Sequence, residues 1–159
     1  VYGPWGRPDM AIFDFTRRIL DGTPIPLFGG GRLSRDFTYV EDIVDGIVAC
    51  LVKPPSSSSD SAVAVNSGTS PHLILNLGRG NETTVSDMVD ALESALGVPA
   101  LREFHSPQLG DVEHTLSSID AANAWCGYQP KVSLSEGIER FVDWYRVYYN
   151  VPTASRRWV

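Results

Sequence analysis

DFTYVEDIVDGIVACLV, residues 36–52, holds the clearest change of periodicity in the chain. Asp36 to Tyr39 reads as a short extended run. From Val40 onward, Val40, Ile43, Val44, Ile47, Val48 and Leu51 recur at the i, i+3, i+4, i+7 spacing of one helix face. The pattern predicts a helix whose apolar stripe faces the core. Thr38, three residues before Glu41, predicts a capping box at its start, hydroxyl and carboxylate each satisfying an otherwise free N–H.

Upstream, the chain opens VYGPWGRPDMA, which reads as the end of a strand entering a proline-punctuated loop. Pro8 and Asp9 predict the start of a helix with Ile12, Phe15 and Ile19 on one face, Phe13 and Leu20 flanking, and Gly22 as its stop. Pro24 to Phe28 (PIPLF) reads as a short extended segment, broken by Gly29, Gly30 and Gly31. Downstream, the Ser/Pro-rich stretch 53–71 predicts a solvated surface loop. His72 to Leu77 (HLILNL) predicts a strand stopped by Gly78. Thr84 opens a helix buried through Val85, Met88, Val89, Leu92 and Leu96 and stopped by Gly97, with Asp87 as a weaker capping partner. Pro99 to Val112 reads as coil, SSIDAANAWCG as a short helix ended by Gly127, and Ser133 with Glu136 as the cap of a last helix. That helix carries Leu134, Ile138, Phe141, Val142, Tyr145 and Tyr148. The expected organisation is one α/β lobe over 1–150, with few short strands and about five helices, then a frayed tail over 151–159. Such a chain is too poor in strands for a complete nucleotide-binding sheet.

Composition narrows the function. At 159 residues, 43% hydrophobic and 20% charged, the chain has the makings of an ordinary globular core. A net charge of −6 argues against a nucleic-acid partner, which needs a basic face. No apolar run approaches the roughly 18 residues of a membrane helix, and the first residues do not resemble a cleavable signal. His72, His105 and His114 are scattered without metal-ligand spacing, so no metal site is expected; Cys50 and Cys126 read as separate buried thiols. Gly29-Gly30-Gly31-Arg32 lacks the Lys-Ser/Thr of a phosphate loop and the spaced glycines of a dinucleotide fingerprint, and reads as a turn. There is no GxSxG elbow, and no tyrosine has a lysine four residues on. An acidic chain that binds an anion must place arginines locally: Arg7 sits in the entry loop and Arg35 just before a helix start. From spacing alone, an exposed arginine, or one paired to a nearby carboxylate such as Asp36 or Glu41, is the favoured reading.

The words VYGPWGRPDMA, SRDFTYVEDIVDGI, LNLG, GDVEHT, LGV and GYQPKVSLSEGIERFVDWY go further. Together, in this order, they resemble the carboxy-terminal half of the extended short-chain dehydrogenase/reductase family, and among its members the UDP-glucuronate 4-epimerases. The resemblance runs from Val1 to about Tyr149. RDFTYVED alone recurs in related dehydratases, decarboxylases and other nucleotide-sugar epimerases. In this family VYGP follows a strand near the middle of the enzyme, so the chain is expected to be a fragment or a truncated gene product. The glycine-rich NAD fingerprint and the YxxxK motif of the family lie upstream of that point.

The resemblance implies a substrate-binding lobe without catalytic residues of its own. It implies that Arg35 contacts the UDP diphosphate, that Pro26 and Phe28 hold the uracil, and that Asp111 contacts the ribose hydroxyls. Gln108 stands where many relatives place a second phosphate-binding arginine. Arg7 is implied near the sugar and its carboxylate, Met10 and Ala11 near the sugar through their backbone, and Tyr2, Gly3 and Pro4 at the nicotinamide side of NAD. In the intact family the sugar C4 is epimerised by hydride transfer to enzyme-bound NAD and back. Here the expected role is to hold UDP while the sugar turns. The alternatives are part of a UDP-glucuronate decarboxylase or of a dTDP-glucose dehydratase, or a non-catalytic nucleotide-sugar-binding module. The resemblance also implies a parent homodimer formed through the absent half, in the cytoplasm or an endomembrane lumen, and a lobe that exposes an apolar cleft wall when alone.

Overall fold

The computed structural model describes residues 1–55 and 73–152. Most of the predicted Ser/Pro-rich loop, His72 and the tail from residue 153 lie outside the described residues. The elements run α1 (Ala11–Asp21), β1 (Ile25–Phe28), a one-turn 3-10 helix (Gly29–Gly31), β2 (Ser34–Arg35), α2 (Val40–Val52), β3 (Thr83–Thr84), α3 (Val85–Leu96), β4 (Arg102–His105), α4 (Asp120–Cys126) and α5 (Leu134–Tyr149). The result is α/β with short strands and a partial sheet, as the sequence predicts.

Three amphipathic helices make the core. α1 turns Ile12, Phe13, Phe15 and Ile19 inward; α3 contributes Met88, Val89, Leu92 and Leu96; α5 contributes Leu134, Ile138, Phe141, Val142 and Tyr145. Their ends follow the predicted chemistry. The Thr84 hydroxyl accepts from the Asp87 N–H at 3.0 Å and Ser133 from that of Glu136 at 3.2 Å, while left-handed residues close α1 at Gly22 and α3 at Gly97. The Glu136 carboxylate turns outward to Arg140 instead of back to the cap, and Tyr148 is exposed. β1 buries Ile25 and Leu27 completely and pairs in parallel with β4, Ile25 opposite Arg102 and Phe28 opposite His105. β4 lies inside the stretch read as coil. Its Glu103, Phe104 and His105 are exposed, so backbone pairing makes the strand with no apolar alternation to announce it.

α2 departs most from expectation. Val44 and Ile47 are 49% exposed and Leu51 75%, whereas Asp42 is 3% exposed and Gly46 is buried. The packed face is the stripe Asp42, Gly46, Cys50, at i, i+4, i+8. Asp42 accepts from the Lys131 N–H at 2.9 Å and the Val132 N–H at 3.1 Å. A Cβ on Gly46 would lie 2.8 Å from the Tyr128 ring and 2.9 Å from Leu77 Cδ2, so glycine lets α2 approach the segment before α5. Val40 packs against the core and Ile43 is half-buried, but Val44, Ile47, Val48 and Leu51 of the stripe stay exposed among the described residues. The predicted capping box also fails. Tyr39 stands at the N-cap position with no side-chain cap, the Thr38 hydroxyl accepts from the Arg79 N–H at 2.9 Å, and Glu41 pairs with Arg140. Leu73 to Leu77, predicted as strand, forms no ladder among the described residues.

Tyr128 anchors this corner, its hydroxyl donating to the Gly78 carbonyl at 2.9 Å. Burial pushes its phenol up to about 12. Folding favours the neutral form, so its contribution is complete below the ordinary phenol value of about 10 and is lost as pH rises through about 12. At pH 8, Tyr128→Phe is expected to cost about 1 kcal/mol, read from denaturant midpoints. The gap between the two chains should close as pH approaches 12. A gap that stays constant or widens with pH would remove the ionisation argument.

Candidate functional site

β1, the start of α1, β2 and the loop after β4 enclose a cavity of about 410 Å³. Its wall is apolar through Ile12, Phe13, Phe28, Leu33, Phe37 and Phe141, and its charged side chains are Arg7, Arg35, Asp36 and Asp111. Of the residues implied for substrate, Arg7, Met10, Pro26, Phe28, Arg35 and Asp111 line it; Gln108 does not. Gln108 serves the site through its backbone, its carbonyl accepting from the Asp111 N–H at 3.2 Å. Of the residues implied for cofactor, Tyr2 and Gly3 line the cavity and Pro4 does not.

Arg35 and Asp111, 76 residues apart, meet at 2.6 Å, Nη2 donating to Oδ1. Local structure aims this pair. β2 is held between β3 on one side and residues 113–115 on the other, where the Ser34 N–H donates to the Glu113 carbonyl at 2.9 Å and the Thr115 N–H to the Ser34 carbonyl at 3.3 Å. Arg35 Nη1 donates to its neighbour's carbonyl on Ser34 at 2.7 Å, which leaves the guanidinium little freedom. The partners weighed from spacing are engaged elsewhere. Asp36 accepts from the N–H groups of Arg79 at 3.0 Å, Gly80 at 3.1 Å and Ser117 at 3.1 Å, and Glu41 binds Arg140. Both members of the pair are partly shielded from solvent, so the arginine is less screened than a surface one.

Arg7 is exposed and chelated by Asp9, with Nε and Nη2 each donating to one carboxylate oxygen. The hydrogen bond from Arg7 holds the Asp9 carboxyl below the usual carboxylate range. The helix starts that border the cavity are those of α1, through Ala11 and Ile12, and of α3, through Val85, rather than that of α2. Phe37 and Thr115 also line it and were not singled out from the sequence, although both lie within the words RDFTYVED and GDVEHT.

Tyr2 and Gly3 have structural duties. The Tyr2 N–H donates to the Thr38 carbonyl at 3.0 Å, the Val40 N–H to the Tyr2 carbonyl at 2.8 Å, and the Tyr2 hydroxyl to the Leu134 carbonyl at 3.2 Å. Gly3 faces Val40, whose Cγ1 would lie 2.5 Å from a Cβ at that position. With no glycine-rich turn between a strand and a helix, the described residues do not make a dinucleotide cradle by themselves.

This fold has counterparts among known proteins. Residues 1–66 match the model of the NAD dependent epimerase/dehydratase family. More particularly, the chain is 43% identical over 149 residues to a probable UDP-glucuronate 4-epimerase of Rhizobium meliloti, covering 91% of this chain and 44% of that protein. It is 44% identical over 160 residues to UDP-glucuronate 4-epimerase 1 of Arabidopsis thaliana, covering 98% and 37%. The solved UDP-glucuronic acid 4-epimerase of Bacillus cereus, in complex with UDP-glucuronic acid and NAD, superposes with a TM-score of 0.77 at 30% identity over 93% of this chain and 43% of that one. The chain therefore spans under half the length of these relatives.

Proposed function

We propose that this chain is the UDP-sugar-binding side of an NAD-dependent UDP-glucuronate 4-epimerase. The observation that carries the reading is the Arg35–Asp111 pair on the wall of an apolar cavity, beside Pro26 and Phe28. A nucleoside diphosphate asks for this combination: flat apolar surface for the base, a fixed guanidinium for the diphosphate and a carboxylate for ribose hydroxyls. Asp111 holds Arg35 in place and keeps a second carboxylate oxygen for the ribose. Arg7 reaches a sugar carboxylate only by giving up Asp9, so discrimination between a uronate and a neutral hexose depends on that exchange. NAD supplies the hydride acceptor in such enzymes. The residues of this chain bind and orient the nucleotide sugar; Val1 to Gly3 border the cofactor.

Calorimetric titration with UDP and with UDP-glucuronic acid, each with and without NAD, tests the reading. Both UDP ligands are expected to bind. Arg35→Ala should weaken both by about 1.5–3 kcal/mol, the range of a charge-assisted bond. Arg7→Ala should weaken UDP-glucuronic acid alone. UDP affinity unchanged by Arg35→Ala would return Arg35 to a structural ion pair and overturn the assignment.

A further inference from the structure

The corner where α2 meets α4 holds a feature unrelated to the cavity. Cys50, on the packed stripe of α2, and Cys126, the last residue of α4, are 76 residues apart in sequence, yet their Sγ atoms lie 3.8 Å from each other. Both thiols are free and half-buried. The two helix ends are clamped around them. Lys53 Nζ donates to the Trp125 carbonyl at 2.6 Å, Trp125 Nε1 donates back to the Lys53 carbonyl at 3.0 Å, and the Lys53 ammonium sits 4.8 Å from the Trp125 ring centroid. One α-helical turn before Cys50, Gly46 sits against Tyr128. The sulfurs are therefore held close by packing on both sides. No third His, Cys, Asp or Glu joins them as a metal ligand set among the described residues.

We infer that Cys50 and Cys126 are a reversible dithiol–disulfide pair that closes by exchange with a low-molecular-weight disulfide and staples α2 to α4. A disulfide has its sulfurs about 2.05 Å apart, so closure requires about 1.8 Å of combined approach from 3.8 Å. Burial pushes the Cys50 thiol up. The thiolate of one cysteine attacks oxidised glutathione, forms a mixed disulfide and expels one glutathione thiolate. The thiolate of the other then attacks the protein sulfur of that mixed disulfide, closes the intramolecular bond and expels the second glutathione. Two protein thiols lose two protons and two electrons, and one glutathione disulfide becomes two thiols. The two linked positions lie on either side of the Ser/Pro-rich stretch 53–71 in the sequence.

The decisive quantity is the equilibrium constant of this exchange, measured for the whole chain in oxidised and reduced glutathione. Acid quench, alkylation and peptide mass mapping give the linked fraction. In native buffer the constant is expected to exceed that in 6 M guanidinium by at least tenfold, because folding holds the thiols far closer than a flexible 76-residue loop does. By linkage, the same factor multiplies the folding equilibrium constant of the oxidised chain. Serine at either position should abolish the linked peptide and the stabilisation together. A native constant at or below the denatured one, stable glutathione adducts on both cysteines, or disulfides only between chains would each overturn the inference.

Discussion

Replacing Gly137 with alanine is expected to lower the stability of the folded chain by about 3 kcal/mol, although alanine is the better helix former. In an exposed helix the exchange gains about 1 kcal/mol. Here a Cβ on α5 would lie 2.1 Å from the Tyr2 hydroxyl oxygen, 2.9 Å from Tyr2 Cζ and 3.1 Å from a Tyr39 ring carbon. Tyr2 cannot step aside cheaply. Its backbone is bonded to Thr38 and Val40 on both sides, its hydroxyl donates to the Leu134 carbonyl one turn back on α5, and its ring lies edge-on to Tyr39 at 5.6 Å. Relief requires either losing a buried hydrogen bond or moving α5, and overpacking of this kind costs roughly 1–3 kcal/mol in addition. Denaturant midpoints read the loss. Tyr2→Phe removes the nearest atom, so the double variant should recover about 1 kcal/mol relative to the sum of the two single ones. A Gly137→Ala chain as stable as the parent would show that α5 does not press on the Val1–Gly3 wall.

The same close approach explains what could be read from residues and what could not. α1, α3 and α5 bury one face each in a common core, so their apolar stripes were visible as helical spacing, and their caps are local chemistry between residues three apart. α2 carries as clear a stripe, but its packed face is Asp42, Gly46 and Cys50, chosen by partners 50 or more residues away in the Tyr128–Val132 segment. Periodicity records which face is apolar; what lies opposite decides which face is covered. β4 was illegible for a related reason, since it belongs to the sheet through backbone pairing with β1 while Glu103, Phe104 and His105 are exposed. The site divides the same way. Arg35 stood out by its position before a helix, but its partner Asp111 lies across 76 residues, and spacing alone favoured Asp36 or Glu41, which are satisfied elsewhere.

Phe141→Ala carries the largest expected effect and connects that core to the cavity. Phe141 is 1% exposed, packs its ring 5.9 Å from Phe13 and 6.0 Å from Tyr145, and also lines the cavity. Truncating a buried phenylalanine to alanine costs about 3–5 kcal/mol, a large share of the 5–15 kcal/mol that holds a typical domain together. Phe141→Leu, which keeps most of the volume, should cost about 1.5 kcal/mol or less and keep the fold for binding measurements. If the cavity is the UDP site, UDP at 100 times its dissociation constant stabilises the folded form by about 2.7 kcal/mol, so it should restore much of what Phe141→Ala removes. The two quantities separate two failures. A loss below about 1 kcal/mol for Phe141→Ala would mean that α5 does not close this core. The full loss without UDP protection of either chain would leave the core as described and remove UDP from the cavity.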